Sequence, residues 1–245
     1  MATNLALAFH GKGVSVDYVM SKTETHAKEL AERVGARFGT SAAQIPEDAD
    51  IILYAVRDES LSDILHSVNR PNALHLHTAG SVGIEVFDPQ LHPHSGVFYP
   101  FQSISKVRIL DFTHIPIFIE SSDESDVARI KHLAEQITDL VYCADSDTRR
   151  SLHLAGVFAN NFTNCMYSIA ADILADKNLP QEVLYSLIDE TAAKIHTLTP
   201  DDAQTGPARR NDTAVMQKHL SMLPPELQNV YKSVSEIIIS KYHNN

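Results

Sequence analysis

The period of apolar and polar residues changes once along the chain, near residue 145. Before that point, short apolar runs alternate with stretches of helical period; after it, the patterned stretches repeat at helical spacing. Met1–His10 reads as a helix closed by Gly11 and Gly13 around Lys12. Val14–Met20 is β-branched enough for a strand, and Thr23–Val34 is helical, with Lys28, Glu29 and Glu32 in its polar portion. Ala49–Val56, A-D-I-I-L-Y-A-V, is a continuous apolar run, the mark of a parallel strand covered on both faces. Ser60–Val68 is a helix, while Ala73–His77, Val97–Tyr99 and Ile115–Glu120 are strands, Pro116 placing the last at an edge or a strand beginning. Asp126–Gln136 is helical and Leu140–Tyr142 is a last short strand.

The stretch Ser151–Ala175, S-L-H-L-A-G-V-F-A-N-N-F-T-N-C-M-Y-S-I-A-A-D-I-L-A, holds no proline and one glycine. At about 100° per residue, Ala155, Phe158, Phe162, Cys165 and Ile169 share one face; His153, Asn160, Asn164 and Ser168 line the other, with Asn161 on its flank. A rod of about 25 residues spans nearly 40 Å and can carry that polar stripe into a cleft. Amide and imidazole groups beside so much apolar surface need partners, so a ligand is expected; a solvated or dimer-facing side is the alternative. Gln181–His196, Asn211–Leu223 and Glu226–Tyr242 read as further helices. The pattern therefore predicts a doubly wound α/β domain over residues 1–146 and an all-α domain over 147–245. A doubly wound domain ordinarily opens on a strand and a glycine-rich turn, and neither precedes the first helix here. The expectation is either a longer chain whose first strand precedes Met1, favoured because Val14–Met20 still wants a central neighbour, or a chain that has dropped it.

Composition narrows the function classes. A length of 245 residues, 44% hydrophobic and 21% charged, suits one large or two modest globular domains. A net charge of −11 without any basic run argues against nucleic acid as the main partner. Cys143 and Cys165 are too few for a disulfide framework, which fits a reducing cytoplasm. No apolar run approaches the ~20 residues a membrane span needs, and M-A-T-N-L-A-L-A-F-H lacks the basic start of a signal peptide.

In an open α/β sheet, ligands gather at the carboxyl ends of strands. Ser21-Lys22-Thr23 follows the first of these; hydroxyls and a lysine suit a 2′-phosphate better than free ribose hydroxyls, although the same residues could cap the next helix. Val56 and Arg57 end the second, and His77-Thr78-Ala79-Gly80-Ser81 turns after the third on small residues that admit a ligand closely. Tyr99 and Gln102, in G-V-F-Y-P-F-Q, are polar candidates at the next strand end. His75 and His77 share a strand face and His92 and His94 lie nearby, a permissive metal spacing; without H-E-x-x-H or C-x-x-C, surface histidines in an H-P-H loop are the expectation, and no metal is assigned. In T-G-P-A-R-R-N-D, Gly206-Pro207 forces a turn, Asp212 can cap the helix bearing Val215 and His219, and Arg210 could pair with an acid.

H-T-A-G-S, G-V-F-Y-P-F-Q, S-L-H-L-A-G-V-F-A-N-N-F and T-G-P-A-R-R-N-D, in this order, resemble a bacterial family of NADP oxidoreductases. That family joins a Rossmann-like domain to a C-terminal helical domain of uncharacterised function, an architecture similar to pyrroline-5-carboxylate reductases and 3-hydroxyisobutyrate-type dehydrogenases. The resemblance implies NADP on the N-terminal sheet, substrate under the helical domain, and a homodimer formed through that domain. It places His77, Ser81, His153, Asn161, Thr205, Gly206, Arg210 and His219 at an interdomain cleft. Ala2 and Thr3 match the sequence just after the family's glycine-rich turn, and so join Ser21, Lys22, Thr23, Val56, Arg57, His77, Thr78 and Ala79 as cofactor-binding candidates. Ser81, Tyr99, Gln102, Asn164, Thr205, Gly206, Arg210 and His219 are the substrate-binding candidates. Two departures stand out: the first strand with its glycine turn is absent, and the long helix lacks the catalytic lysine of the hydroxyacid dehydrogenases. His153 is left as the proton donor or acceptor, with Asn161 orienting substrate or nicotinamide. The resulting expectation is an NADP(H)-dependent oxidoreductase acting on a small molecule; the alternative is a non-catalytic dinucleotide-binding sensor or scaffold dimer.

Overall fold

Strands and helices share the first 143 residues of the computed structural model, which describes residues 1–105 and 107–243. The order is α1 (Ala2–Gly11), β1 (Tyr18–Met20), α2 (Glu24–Val34), β2 (Arg37–Gly39), β3 (Ile51–Tyr54), α3 (Asp58–Ser67), β4 (Leu74–His77), β5 (Ser95–Pro100), β6 (Ile117–Ser121), α4 (Glu124–Glu135) and β7 (Val141–Cys143). The three-residue β2 has no counterpart in the sequence reading, because R-F-G offers no apolar run. The chain divides into two compact units, Met1–Met166 and Tyr167–Asn245.

The strands form two pieces of sheet. β1 and β2 pair in parallel, and β3-β4-β5-β6-β7 form the second piece in that order. The sheet is mostly parallel, as a doubly wound domain requires, with one exception: β5 and β6 run antiparallel, from Gly96↔Ser121 to Pro100↔Ile117. No helix occurs among the described residues of the 101–116 connection, so nothing carries the chain back to its starting end before β6 begins. A doubly wound sheet ordered 3-2-1-4-5-6 places β2 and β1 in its first two positions and β3, β4 and β5 in its last three. The central position is where the two pieces part. That parting corrects the burial expected of the apolar run around Ile51–Tyr54: Ile51, Ile52 and Leu53 are only half-buried, whereas all of β4 is buried. It also shortens β1, because Val14 and Val16 pack into the core without pairing.

Helices cover both faces. On one, Leu5 and Phe9 of α1 and Ile130 and Ala134 of α4 pack with Leu74, Leu76, Phe98, Ile117 and Ile119. On the other, Leu61 and Leu65 of α3 pack with Tyr54, Val68 and Phe87. The long rod begins five residues earlier than the pattern suggests, as α5 (Ser146–Gly156), because the Asp145 carboxylate accepts from the Thr148 N–H at 2.8 Å. It then passes through a π-helical turn, Val157–Phe162, into α6 (Thr163–Ala175). A π turn adds a residue to the register, so the face drawn at 100° per residue does not continue straight across it.

The second unit is helical throughout: α7 (Tyr185–Lys194), α8 (Pro200–Ala203), α9 (Thr213–Met222) and α10 (Pro225–His243). The short α8 escaped the sequence reading; Thr199 caps it through the Asp202 N–H, with Pro200 in its first turn. Among the described residues no helix is long and apolar enough to cross a membrane.

Candidate active site

Four elements of the first unit converge beyond the carboxyl ends of β3 and β4. β4 ends at His77, and the chain turns through Thr78, Ala79 and Gly80. Thr78 is fixed to the end of β3 through its N–H and its Oγ1, both donating to the Tyr54 carbonyl at 3.2 and 3.3 Å. The Ala79 N–H donates to His77 Nδ1 at 3.2 Å, so His77 braces the turn from beneath, its ring stacked on Phe87. Gly80 then passes so close to β5 and α5 that a Cβ would stand 2.6 Å from Tyr99 Cζ and 2.9 Å from His153 Nδ1. Only glycine leaves room there. The Tyr99 hydroxyl lies 3.4 Å from His153 Nδ1, and Ser81 hydrogen-bonds the Asp58 carboxylate at the start of α3.

Burial raises the Tyr99 pKa above its ordinary value, while the Arg149 guanidinium pulls the other way. The phenol is therefore held in its protonated form, able to donate. His153 is exposed and can exchange a proton with solvent. His77 is fully buried, and desolvation lowers its pKa to about 3; it is neutral at any ordinary pH.

Arg149, Glu120, Ser146 and Asp58 belong to this neighbourhood and were missed in the sequence. Arg149 is 0% exposed. Its guanidinium pairs with the Glu120 carboxylate at the end of β6, and donates to the Val82 carbonyl at 2.5 Å and to Ser146 Oγ at 3.3 Å. One signal pointed to it: Arg149 stands four residues before His153, one helical turn away on the same face.

The cofactor candidates are spread over the starts of α1, α2 and α3 and the turn after β4. Ala2 and Thr3 form the first turn of α1, which has no acidic residue and no side-chain cap. After β1, Lys22 and Thr23 are exposed, and Ser21 Oγ accepts from the Thr23 N–H at 3.4 Å. Thr23 makes no side-chain cap on α2, which weakens the purely capping reading. No carboxylate interrupts Met20–Thr23, a composition that accepts a phosphate monoester. Val56 and Arg57 are exposed at the entry to α3.

The remaining candidates are mostly exposed. Gln102 folds onto its own backbone, Oε1 accepting from the Ser103 N–H at 2.8 Å. Asn161 is exposed on the π turn and Asn164 is exposed at the start of α6. In the second unit, Thr205 and Arg210 are exposed and Gly206 adopts φ 102°, the left-handed conformation its turn requires. Asp212 caps α9 through the Val215 N–H at 3.1 Å, as its position suggests, while His219 Nδ1 is engaged by the Tyr231 hydroxyl at 2.9 Å. The histidine loop needs correction: His92 is 2% exposed, its ring edge-on to His75, and is no surface residue. Both ring nitrogens of His75 are taken, by the Tyr54 hydroxyl and the Arg70 carbonyl at 2.8 Å each.

Residues 115–238 match the family model for a domain of unknown function, DUF2520. The crystal structure of a putative NADP oxidoreductase from Bacteroides fragilis is 45% identical, superposes with a TM-score of 0.90, and is matched over 98% of this chain and 94% of that one. A protein from Thermotoga maritima is 19% identical with a TM-score of 0.74, covering 99% of this chain and 98% of that chain. An imine reductase from Myxococcus stipitatus, solved with NADP+, is 15% identical with a TM-score of 0.66 over 98% and 89%. These last two show the fold alone. No curated protein matches the chain.

Proposed function

The chain belongs to the DUF2520 family, and from that premise we propose that it is an NADP(H)-dependent oxidoreductase acting on a small molecule. The observation that carries the reading is the meeting of Gly80, Tyr99 and His153 beyond the ends of the parallel strands, where dinucleotide folds place their chemistry. The protein of 45% identity, described as an NADP oxidoreductase, supports the same assignment. In this reading, residues 1–146 hold the cofactor.

Ala2 and Thr3 would receive the pyrophosphate at the α1 N-terminus, and Ser21, Lys22 and Thr23 the 2′-phosphate. Val56, Arg57, Thr78 and Ala79 would line the path toward the reacting end, with His77 bracing that turn. When bound, the nicotinamide supplies or accepts a hydride. The protein's own part is the proton. Tyr99 hydrogen-bonds the substrate through a hydroxyl that burial keeps protonated, and His153, beside it and open to solvent, moves the proton. Ser81, held by Asp58, stands at the lip of the turn and orients substrate together with Gln102 and Asn164. Asn161 positions substrate or the nicotinamide amide. The substrate is a small metabolite of the cytoplasm rather than a nucleic acid, and the active form is a homodimer joined through the helical domain.

A second reading, a non-catalytic dinucleotide sensor or scaffold dimer, is favoured by one observation: the strands form two separate pieces of sheet, β1-β2 and β3-β4-β5-β6-β7. Calorimetric titration tests the cofactor, and turnover separates the enzyme from a sensor. The first reading expects saturable NADPH binding, tighter than NADH by tenfold or more and weakened toward NADPH alone by Lys22→Ala. Absence of saturable binding overturns it. His153→Ala should leave stability and binding intact while removing turnover.

A further inference from the structure

A buried cation needs a reason. Placing a guanidinium out of water is costly unless it is paired and hydrogen-bonded, and replacing such a pair by apolar groups is often neutral or stabilising. Arg149 is nevertheless fully buried, with Nε unpartnered and the rest of its guanidinium committed. Its partners come from three separate places: Glu120 ends β6, Val82 lies two residues beyond Gly80, and Ser146 opens α5. Ser146 repeats the connection. Its Oγ donates to the Glu120 carboxylate at 2.9 Å and accepts from the Ile84 N–H at 3.0 Å, while its own N–H donates to Glu120 at 3.0 Å. The turn after β4 is thus attached twice to the first turns of α5. Arg149 and His153 sit four residues apart on that helix, one above the other. Fixing Val82 to Arg149 therefore brings Gly80 beneath His153.

We propose that Arg149 is a positioning residue for the Tyr99–His153 pair: tying the Val82 carbonyl and the Glu120 carboxylate to α5 holds His153 over Gly80 and within reach of the Tyr99 hydroxyl. The inference rests on the reading of that pair as the proton-handling group. A lysine cannot replace the arginine here, because a single ammonium does not span a carboxylate and a carbonyl with a planar fork. The exposed Arg150 also reaches this turn, through Glu85 at 3.7 Å, but a solvated pair contributes little to holding it.

The test uses the full chain labelled with 3-fluorotyrosine, the Tyr99 signal being identified by its loss in Tyr99→Phe. In the parent chain, His153→Gln should shift the Tyr99 fluorine resonance. In Arg149→Lys and in Glu120→Gln, each judged folded by circular dichroism and a cooperative melt, that response to His153→Gln should be lost. Should both variants fail to fold, Ser146→Ala carries the same comparison, removing one hydroxyl from the network. A full-sized response persisting in the folded variants overturns the proposal, leaving Arg149 a purely structural group. A parent chain without the response overturns the pair and the clamp together. NADPH binding, measured separately, is untouched by either result and decides the cofactor reading by itself.

Discussion

A methyl group on Gly80 must displace either the Tyr99 ring or the His153 ring, both of which it would meet inside van der Waals contact. Overpacking of this kind costs about 1–3 kcal/mol. We expect Gly80→Ala to lower the melting temperature, and most of the loss to vanish when Tyr99 is also cut to alanine; a melting series of the two single variants and the double variant checks it. The buried imidazoles make a second residue-scale statement. Burial lowers His75 to about 4 and His77 to about 3, whereas unfolded histidine titrates near 6.5. Below pH 6.5 the unfolded chain binds the protons that these folded residues refuse. Stability is therefore complete above that pH and is lost as pH falls, toward about 4 for His75 and about 3 for His77, by at most about 1.4 kcal/mol per pH unit for each histidine. Urea midpoints at pH 7.5 and 5 should differ less in His77→Phe than in the parent. Gly80, Tyr99 and His153 were legible in the sequence because small residues at a strand end and a lone imidazole on a helix carry their own chemistry. Arg149 was not, because a long cation on a helix ordinarily marks a solvated face, and only the fold reveals that this one points inward.

At the scale of elements, the parted sheet has a measurable consequence. In a parallel ladder, alternate residues turn their main-chain groups to opposite sides. The Asp17 carbonyl and Ser21 N–H bond β2, and the Asp50 and Tyr54 carbonyls face the residues of β4, so Tyr18, Met20, Ile51 and Leu53 turn theirs toward the parting. We expect the amides of these four to exchange with solvent far faster than those of β4, which has neighbours on both sides. Protection of all four equal to that of Leu76 would mean that the two sheet pieces are joined. The existence of most elements could be read from period alone, since continuous apolar runs and 3.6-residue repeats are strong signals. Their covering could not. A run such as I-I-L-Y reports a hydrophobic strand, but whether both its flanks are occupied depends on partners far away in sequence. The π turn at Val157–Phe162 was equally hidden, because a helical wheel assumes the very register that the turn breaks.

At the scale of the whole molecule, apolar side chains are distributed unevenly. The first unit buries its large residues in two clusters, one on each face of the sheet. The second exposes many of its own: on α10, Val234 and Ile237 are 47% and 66% exposed and Val230 is 37% exposed, at a spacing that puts all three on one stripe. A stripe of this kind suits an interaction surface, since each of these side chains, 37–66% exposed, forgoes a part of the roughly 1.5–3 kcal/mol that full burial gives. A second copy of the chain is the occupant that the homodimer reading requires. The net charge of −11 works against self-association, so what apolar contact gains must exceed that repulsion and should do so more easily as salt screens it. We therefore expect sedimentation to show a dimer that tightens with added salt, and Val234→Asp with Ile237→Asp to yield a monomer of unchanged helix content. A double variant that stays dimeric would move the contact off α10. A parent chain that sediments as a monomer at every salt concentration would leave the stripe without a second copy to cover it.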